Sequence, residues 1–276
     1  MRQKKLIIIA CVLLLNACAA PTTRSPNVSQ HEILTEGQTQ STLAKEARDK
    51  GQVPKTTVQR PVNVAQMNQR LNRMSAPIGK SGETLCHVLD VKNQFCRYQF
   101  KLENSKDINA YADGQRIVVS TGMMQFAKED TELAVVLGHE LAHNLLRHVK
   151  KKQRNTILGA ITGLALEGAA AAAGVDTGGQ LAKAGMQYGS QSYSPEFEKE
   201  ADYVGLYVTA RAGYDIHNAP QFWRKMSIQF PQSIYVKSTH PSNAERYVLL
   251  EKTVKEIELK KAAGLALTPE MKPIGQ

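Results

Sequence analysis

Apolar residues recur every three or four positions over much of the chain, and this spacing predicts a mostly helical protein. The most regular stretch covers residues 131–150, for which Asp130 or Thr131 provides a cap. Another helix is predicted from Pro195 to Ala212, because Ser194 suits the N-cap position and proline suits the first turn. Three further helices are predicted: one that ends before Pro77, one over 219–229 and one over 242–261.

Shorter runs of β-branched and aromatic residues predict a small sheet beside these helices. Residues 85–101 mix such residues around polar turn positions, as a hairpin does. Two more strands are predicted over 108–112 and 117–120, separated by a turn at Asp113-Gly114. The pattern as a whole predicts an α+β fold.

Residues 157–175 are apolar and rich in alanine and glycine, so that two interpretations arise. We favour a helix packed on the domain, because Glu167 interrupts the run and glycine is a poor helix former. The alternative is an element that inserts into a membrane. Residues 174–179 then form a flexible break.

The chain begins in the manner of an exported protein. Three basic residues precede an apolar run over 6–15 that is too short to span a bilayer, so residues 1–17 are predicted to be a signal peptide. Residues 15–18 resemble a bacterial lipobox, in which Cys18 carries the acyl chains. Ordinary secretion with cleavage nearby is the alternative. Since Ala19 and not aspartate follows, resemblance to sorted lipoproteins implies the outer membrane of a Gram-negative bacterium, facing the periplasm.

The remaining chain divides into three parts. Residues 18–60 are rich in polar residues without a sustained period, and they are predicted to be a lipidated cysteine followed by a flexible tether. Residues 61–262 are predicted to form a single domain. Residues 263–276 are predicted to be a loose tail.

Charge adds little to this picture. The formal net charge of +10 falls to +7 when Arg2, Lys4 and Lys5 leave with the signal peptide, and the rest is spread along the chain. This distribution favours weak contact with anionic head groups and argues against a nucleic-acid partner.

Two cysteines remain once Cys11 is removed and Cys18 is lipidated. In an oxidising compartment Cys86 and Cys96 are predicted to form a disulfide. Two buried free thiols are the alternative. A zinc role is disfavoured because no other pair with ligand spacing accompanies them.

The chemistry of the chain centres on H-E-L-A-H at residues 139–143, in the middle of the most regular helix. Histidines four apart share one face of a helix, so His139 and His143 can bind one metal ion. Glu140 stands beside them, where it can serve as general base toward a metal-bound water. The alternative is a pair of surface histidines on a charged helix.

A catalytic zinc ion usually takes three protein ligands and one water. The metzincin pattern is excluded, because Leu146 and Val149 occupy the positions that it requires. His148 is one residue short of that pattern and is expected to be a surface or supporting residue.

A third ligand is predicted downstream, where Glu198 and Asp202 stand four apart on one helical face. One carboxylate would bind the metal, and the other would accept a hydrogen bond from a ligand histidine. Glu200 points to the opposite side and is expected to lie in solvent.

These motifs, together with His240-Pro241, resemble the zinc peptidase family that includes HtpX, the mitochondrial Oma-type protease and the CAAX prenyl endopeptidases. The resemblance covers about residues 61–259 and is closest to periplasmic lipoprotein members of the LoiP and BepA types, without the helical repeat domain of the latter. It implies a compact, mostly helical gluzincin with a small sheet, and one zinc ion per chain. It also implies that Glu198 is the third ligand. Asp202 matches the family aspartate four residues later, which is the second carboxylate of the pair.

The resemblance further implies residues that handle the substrate. Asn109-Ala110 match a family pair on the strand before the active helix, which would be the sheet edge on which an extended peptide lies. His240 matches a family histidine near the metal that stabilises the oxyanion or contacts zinc. A loop histidine before a proline is the alternative.

Together these features predict a zinc endopeptidase that cuts misfolded or unassembled envelope proteins. The alternative is a chaperone-like assembly or binding module with a largely closed site, which uses the basic residues of 147–154 as a contact patch. The same basic residues are equally well explained as a solvated helix end. Nothing in the sequence predicts the oligomeric state.

Overall fold

The computed structural model describes residues 21–49, 63–89, 96–190, 194–229 and 244–272. The helices in these ranges are α1 (Gln30–Asp49), α2 (Val64–Val88), α3 (Thr121–Phe126), α4 (Asp130–Leu145), α5 (His148–Ala172), α6 (Gln180–Ser190), α7 (Pro195–Arg211), α8 (Ala219–Gln229) and α9 (Ala244–Ala262). The strands are β1 (Gln99–Glu103), β2 (Ala110–Ala112) and β3 (Arg116–Ser120). The predicted α+β class is confirmed, as are the helices that became α7, α8 and α9.

The centre of the domain is the contact between α4 and α7, and α2 and α9 pack around this pair. Glycine allows the two backbones to approach closely. A Cβ atom added to Gly205 would lie 2.9 Å from Cα of His139, and one added to Gly138 would lie 2.6 Å from the carbonyl oxygen of Gly205. Such distances exclude any larger side chain, so the two helices meet beside His139.

The sheet has the order β1-β3-β2, in which β1 pairs with β3 in parallel and β2 pairs with β3 in antiparallel register. The predicted strands at 108–112 and 117–120 are confirmed as β2 and β3, joined by a turn in which Gly114 has a φ of 97°. The hairpin predicted over 85–101 is wrong. Its first residues end α2, because Leu85 and Cys86 are buried on the helix face, and its last residues begin β1.

Helix α2 does not end before Pro77 as predicted but continues to Val88. Buried residues on both sides of the proline hold the helix in place. Met74 and Ile78 are fully buried, and the hydroxyl of Ser81 donates a hydrogen bond of 2.8 Å to the carbonyl of Val208 on α7. Tertiary contacts therefore offset the hydrogen bond that the proline removes.

The predicted flexible tether is wrong for its described part, because α1 packs against α9 and α8. The guanidinium of Arg224 on α8 donates hydrogen bonds of 2.7 and 2.8 Å to the Glu36 carboxylate. Leu34 is left 65% exposed. Helix α1 is thus held partly by charged groups, which an analysis of apolar spacing does not detect.

The predicted loose tail is also wrong as far as Lys272. Thr23 and Met271 form an isolated antiparallel bridge, in which the Arg24 amide donates to the Glu270 carbonyl at 2.7 Å and the Lys272 amide donates to the Thr22 carbonyl at 3.0 Å. Main-chain pairing of this kind needs no side-chain pattern, and so the sequence gives no sign of it.

The single helix predicted over 131–150 is interrupted, because Arg147 adopts a left-handed conformation with a φ of 58°. Helix α5 begins at the next residue and packs along α6 as a helical hairpin. Its contact with the rest of the domain is mainly with α4. The helix of the favoured interpretation is confirmed, but it packs mainly on α6 and not on the body of the domain, and Ile157, Ile161 and Leu164 stay exposed.

Candidate active site

Three buried donor groups converge where α4 meets α7. Atom Nε2 of His139 lies 3.1 Å from Nε2 of His143, and the two oxygens of Glu198 lie 3.4 Å from one nitrogen each. All three side chains are at most 2% exposed. The close approach of the two helices at their glycines brings the Glu198 carboxylate to the two imidazoles.

The distances suit one zinc ion. Ligands that lie about 2.0–2.1 Å from a tetrahedral zinc ion are themselves about 3.3 Å apart. The separations of 3.1 to 3.4 Å among His139, His143 and Glu198 match this value. Two imidazoles and one carboxylate are also the donor set of many catalytic zinc sites, in which water completes the coordination.

Asp202 and Arg246 support one side of this cluster. Asp202 lies 2.9 Å from Nδ1 of His139, which makes that nitrogen the donor and leaves Nε2 with its lone pair toward the metal position. Arg246 on α9 donates to Asp202 from Nε at 2.6 Å and from Nη2 at 2.8 Å, and its Nη1 lies 3.0 Å from Glu198. One buried guanidinium thus joins Glu198 to the carboxylate that orients His139.

The electrostatics of the cluster favour a bound cation. Burial lowers the pKa of His139, but hydrogen bonds and attraction from Asp202 and Glu198 outweigh it and raise the pKa to about 9. Burial holds the pKa of His143 well below its ordinary value. In the metal-free site the two carboxylates therefore retain a proton on His139, and a bound metal ion supplies the positive charge in place of that proton.

A second line of contacts supports His143. His148 lies with Nδ1 3.0 Å from Nδ1 of His143 and with Nε2 2.9 Å from Glu200. Glu200 in turn accepts a hydrogen bond of 2.7 Å from the Thr23 amide, and further bonds from the amide and hydroxyl of Thr22. Thr22 and Thr23 could not be predicted from the sequence, because they lie far from α7 along the chain and belong to no local motif.

The expectation that Glu200 lies in solvent is wrong, since the residue is 2% exposed. Helix α7 is buried on nearly all sides, so it has no solvent-facing stripe on which Glu200 would fall. Of the two roles expected for His148, surface or supporting residue, the structure shows the second, because the turn at Arg147 brings the buried side chain over His143. Burial raises the pKa of Glu200, but His148, Lys151 and the Thr22 amide lower it to about 2, so the group stays ionised.

Glu140 lies on α4, and strands β2 and β3 pack against the same helix. Glu140 is 2% exposed and follows the ligand His139 on α4. Strand β2, with Ala110, lies against α4, and Asn109 precedes it with its amide 3.1 Å from the Ser120 hydroxyl. The Asn144 side chain fixes this arrangement, because it accepts from the Gly114 amide at 2.8 Å and donates to the Arg116 carbonyl at 3.0 Å.

Trp223 on α8 is a further neighbour that the sequence analysis missed. Its ring lies edge-on to His139 with centroids 5.1 Å apart, and Arg246 lies over the ring at 5.1 Å. It is the only tryptophan in the sequence, which makes it a residue of interest. Its position along the chain, however, gave no reason to place it beside His139.

The other predicted site residues fall elsewhere. Cys86 and Cys96 form a disulfide with Cα atoms 5.7 Å apart, between the end of α2 and the start of β1. His240 and Cys18 lie outside the described residues.

Comparison with known proteins agrees with this arrangement. A family model described as peptidase family M48 matches residues 74–254. The mitochondrial metalloendopeptidase OMA1 is 32% identical in Schizosaccharomyces pombe, over 54% of this chain and 44% of that protein. In Arabidopsis thaliana it is 35% identical, over 53% of this chain and 30% of that protein.

A bacterial relative is similar to the same extent. The beta-barrel assembly-enhancing protease of Yersinia pestis is 32% identical, over 52% of this chain and 32% of that protein. The chain thus spans less than half the length of each of these three relatives.

Proposed function

The chain belongs to peptidase family M48, and on that premise we propose that it is a zinc-dependent endopeptidase that cuts misfolded or unassembled proteins of a bacterial envelope. The observation that carries this proposal is the buried trio His139, His143 and Glu198, whose donor atoms are spaced as the ligands of one zinc ion. One ion per chain would fill it.

A zinc ion held there would lower the pKa of a coordinated water to about 7 and would polarise the carbonyl of the peptide bond. The residues around it perform the proton transfers and hold the ligands. The Glu140 carboxylate takes the proton from the attacking water and returns it to the amide nitrogen that leaves. Asp202 and His148 hold the two ligand imidazoles in fixed orientations.

Strand β2 supports an extended substrate. Among the described strands it pairs with β3 alone, so its other edge has main-chain donors and acceptors that no described strand uses. A peptide that adds to this edge beside Asn109 and Ala110 gains hydrogen bonds from its backbone, whatever its side chains are. Unfolded proteins of diverse sequence are therefore the expected substrates.

The envelope location rests on the amino-terminal sequence and on one group of relatives. The lipobox-like residues 15–18 predict an outer-membrane lipoprotein acylated at Cys18 and facing the periplasm. The Yersinia relative is named for assembly of β-barrels, whereas the OMA1 relatives are mitochondrial. We retain His240 as a residue that stabilises the oxyanion or contacts zinc.

The decisive experiment compares a chain that begins at Ala19, without the signal peptide and Cys18, with its Glu140→Gln variant on unfolded casein, with the metal content of both measured. A matched control is Glu196→Gln, which changes an exposed glutamate on α7. We expect about one zinc ion in each protein and cutting lost only in Glu140→Gln. If the wild-type protein binds zinc and does not cut, the chain is a binding module; if Glu140→Gln cuts normally, the assigned base is wrong.

A further inference from the structure

The helical hairpin formed by α5 and α6 has an inner face made by glycine. A Cβ atom added to Gly163 would lie 2.6 Å from the Leu181 carbonyl oxygen, and one added to Gly185 would lie 2.9 Å from Cα of Gly163. The two backbones are therefore in close contact. Small residues at such contacts are typical of helix pairs that associate without help from water.

The outer face of the hairpin carries three large apolar side chains. These are Ile157, Ile161 and Leu164, which follow a helical spacing and are exposed by 60%, 50% and 61%. Leu166 lies on another face of α5 and is 41% exposed. Within the described ranges, α5 is the one helix with the length and composition of a membrane span, and 6% of the relevant window is buried. An apolar patch of this kind on a protein surface marks an interaction site.

Glu167 is the only charged residue in 157–175, and its hydrogen bonds within the hairpin lower the cost of placing it near lipid. Its carboxylate accepts hydrogen bonds from the amides of Gly179, Leu181 and Ala182 at 3.1 to 3.3 Å, and from the hydroxyl of Thr177. The charge thus caps the N-terminal end of α6, where the helix dipole favours it. The hairpin satisfies its own acidic group without water.

The base of the hairpin is basic. Lys150, Lys151, Lys152 and Arg154 lie in the first two turns of α5, and no acidic residue occurs between His148 and Leu166. Lys150 and Arg154 are exposed. A basic segment next to an apolar one complements a bilayer, in which phosphate head groups lie beside acyl chains.

We propose that the α5–α6 hairpin is a membrane-docking element for a bilayer that contains anionic phospholipid. The exposed apolar face of α5 enters the acyl region, and the basic first turns of α5 lie among the head groups. Because α5 follows α4 directly after Arg147, docking holds the metal-binding helix close to the bilayer surface. This proposal concerns a surface distinct from the metal site and does not depend on peptide cleavage.

Flotation with lipid vesicles tests the proposal on a chain that begins at Ala19, which lacks the signal peptide and the predicted acyl anchor at Cys18 and retains every described element. The vesicles are phosphatidylethanolamine with phosphatidylglycerol, and phosphatidylcholine alone. The wild-type protein should float with the anionic vesicles and at least roughly tenfold less with the neutral ones. Flotation with neither kind, or equally with both, would overturn the proposal.

Variants on the hairpin locate the contact. The double variant Ile161→Asp with Leu164→Asp should lose vesicle binding by roughly tenfold or more, because each aspartate must enter the acyl region. The control Leu259→Asp changes a side chain that is 71% exposed on α9, and it should bind as the wild type does.

Thermal unfolding verifies that all the proteins are folded, and sedimentation detects self-association. A hairpin variant that binds vesicles normally overturns the proposal. A wild-type dimer that these variants dissociate, without vesicle binding, would show that the face joins two copies of the chain.

Discussion

The Nδ1 atoms of His148 and His143 face each other at 3.0 Å, and this contact determines where the protons of both rings lie. If Nε2 of His143 presents its lone pair to a metal ion, Nδ1 of His143 carries the hydrogen and donates it to His148. His148 must then carry its own hydrogen on Nε2 and donate it to Glu200, 2.9 Å away. Burial lowers the pKa of His148, which agrees with this neutral form.

Substitutions of the residues that orient His143 should weaken zinc binding. In His148→Phe the stacking on Phe197 can persist, but the acceptor for His143 is lost. We expect zinc affinity to fall by roughly 10- to 100-fold, as with other groups that orient a ligand histidine. Competition with a chelator measures this. The control Glu196→Gln should bind zinc normally, and an unchanged affinity in His148→Phe would refute the orienting role.

Replacement of Arg246 by methionine should destabilise the fold strongly. The variant leaves the Glu198 and Asp202 carboxylates buried without the guanidinium that lies between them. We expect the free energy of unfolding of the metal-free protein to fall by about 3–5 kcal/mol. Urea denaturation with a chelator present measures it.

The matched control is Arg73→Met, which removes an arginine that is 65% exposed and paired with Asp130. It should cost less than about 1 kcal/mol. An equal decrease in the free energy of unfolding in the two variants would show that buried Arg246 stabilises the fold no more than an exposed arginine does.

Asn144→Ala should impair substrate binding more than the chemical step. The substitution leaves the Gly114 amide and the Arg116 carbonyl without their side-chain partner and so loosens β2 against α4. We expect KM to rise by roughly tenfold, in line with about 1–3 kcal/mol for groups left unsatisfied, with kcat changed less. Steady-state kinetics on a fluorogenic peptide, with exposed Asn72→Ala as control, distinguish the two. A fall in kcat alone would contradict this account.

Acid should release helix α1. Burial raises the pKa of Glu36, but the hydrogen bonds from Arg224 and Gln40 outweigh it, so the folded pKa lies below its ordinary value of 4.5. A carboxyl group with a lowered pKa contributes stability that is complete above the unfolded pKa and is lost as pH falls through the folded pKa. The protection of the α1 amides, which is the intrinsic exchange rate divided by the observed rate at the same pH, should therefore fall below pH 4.5.

In Glu36→Gln the exchange of α1 should be fast already at neutral pH and should depend less on acid. The other helices are the internal reference. Exchange of α1 that stays slow in this variant at neutral pH would show that Arg224 does not hold the helix.

The cluster of His139, His143 and Glu198 could be predicted because its members come from two motifs with a local spacing. His139 and His143 are four apart on one regular helix, and Glu198 and Asp202 repeat that spacing on another. Their neighbours were harder to predict. The left-handed conformation of Arg147 could not be predicted, because such a conformation usually occurs at glycine. It places His148 against His143 and not on the outer side of the helix.

The supporting contacts at the chain's beginning could not be predicted for a different reason. Glu36 and Arg224 are 188 residues apart, and Thr23 and Glu200 are 177 apart. Such pairs are polar, so they leave no trace in the apolar pattern that predicts helices and strands. The structure is needed to show that the polar segment before residue 50 binds to charged residues of α7 and α8.

The bridge between Thr23 and Met271 has a practical consequence for fusion proteins. A reporter protein attached after Lys272 would lie beside residues 22–24, close in sequence to Cys18. It could therefore clash with the membrane or lipid anchor at that end of the chain. The glycine turn at 174–179 lies elsewhere, between α5 and α6. The same proximity allows a circular permutant. A short linker would join Lys272 to Thr22, and the chain would be cut in an exposed loop to create new termini.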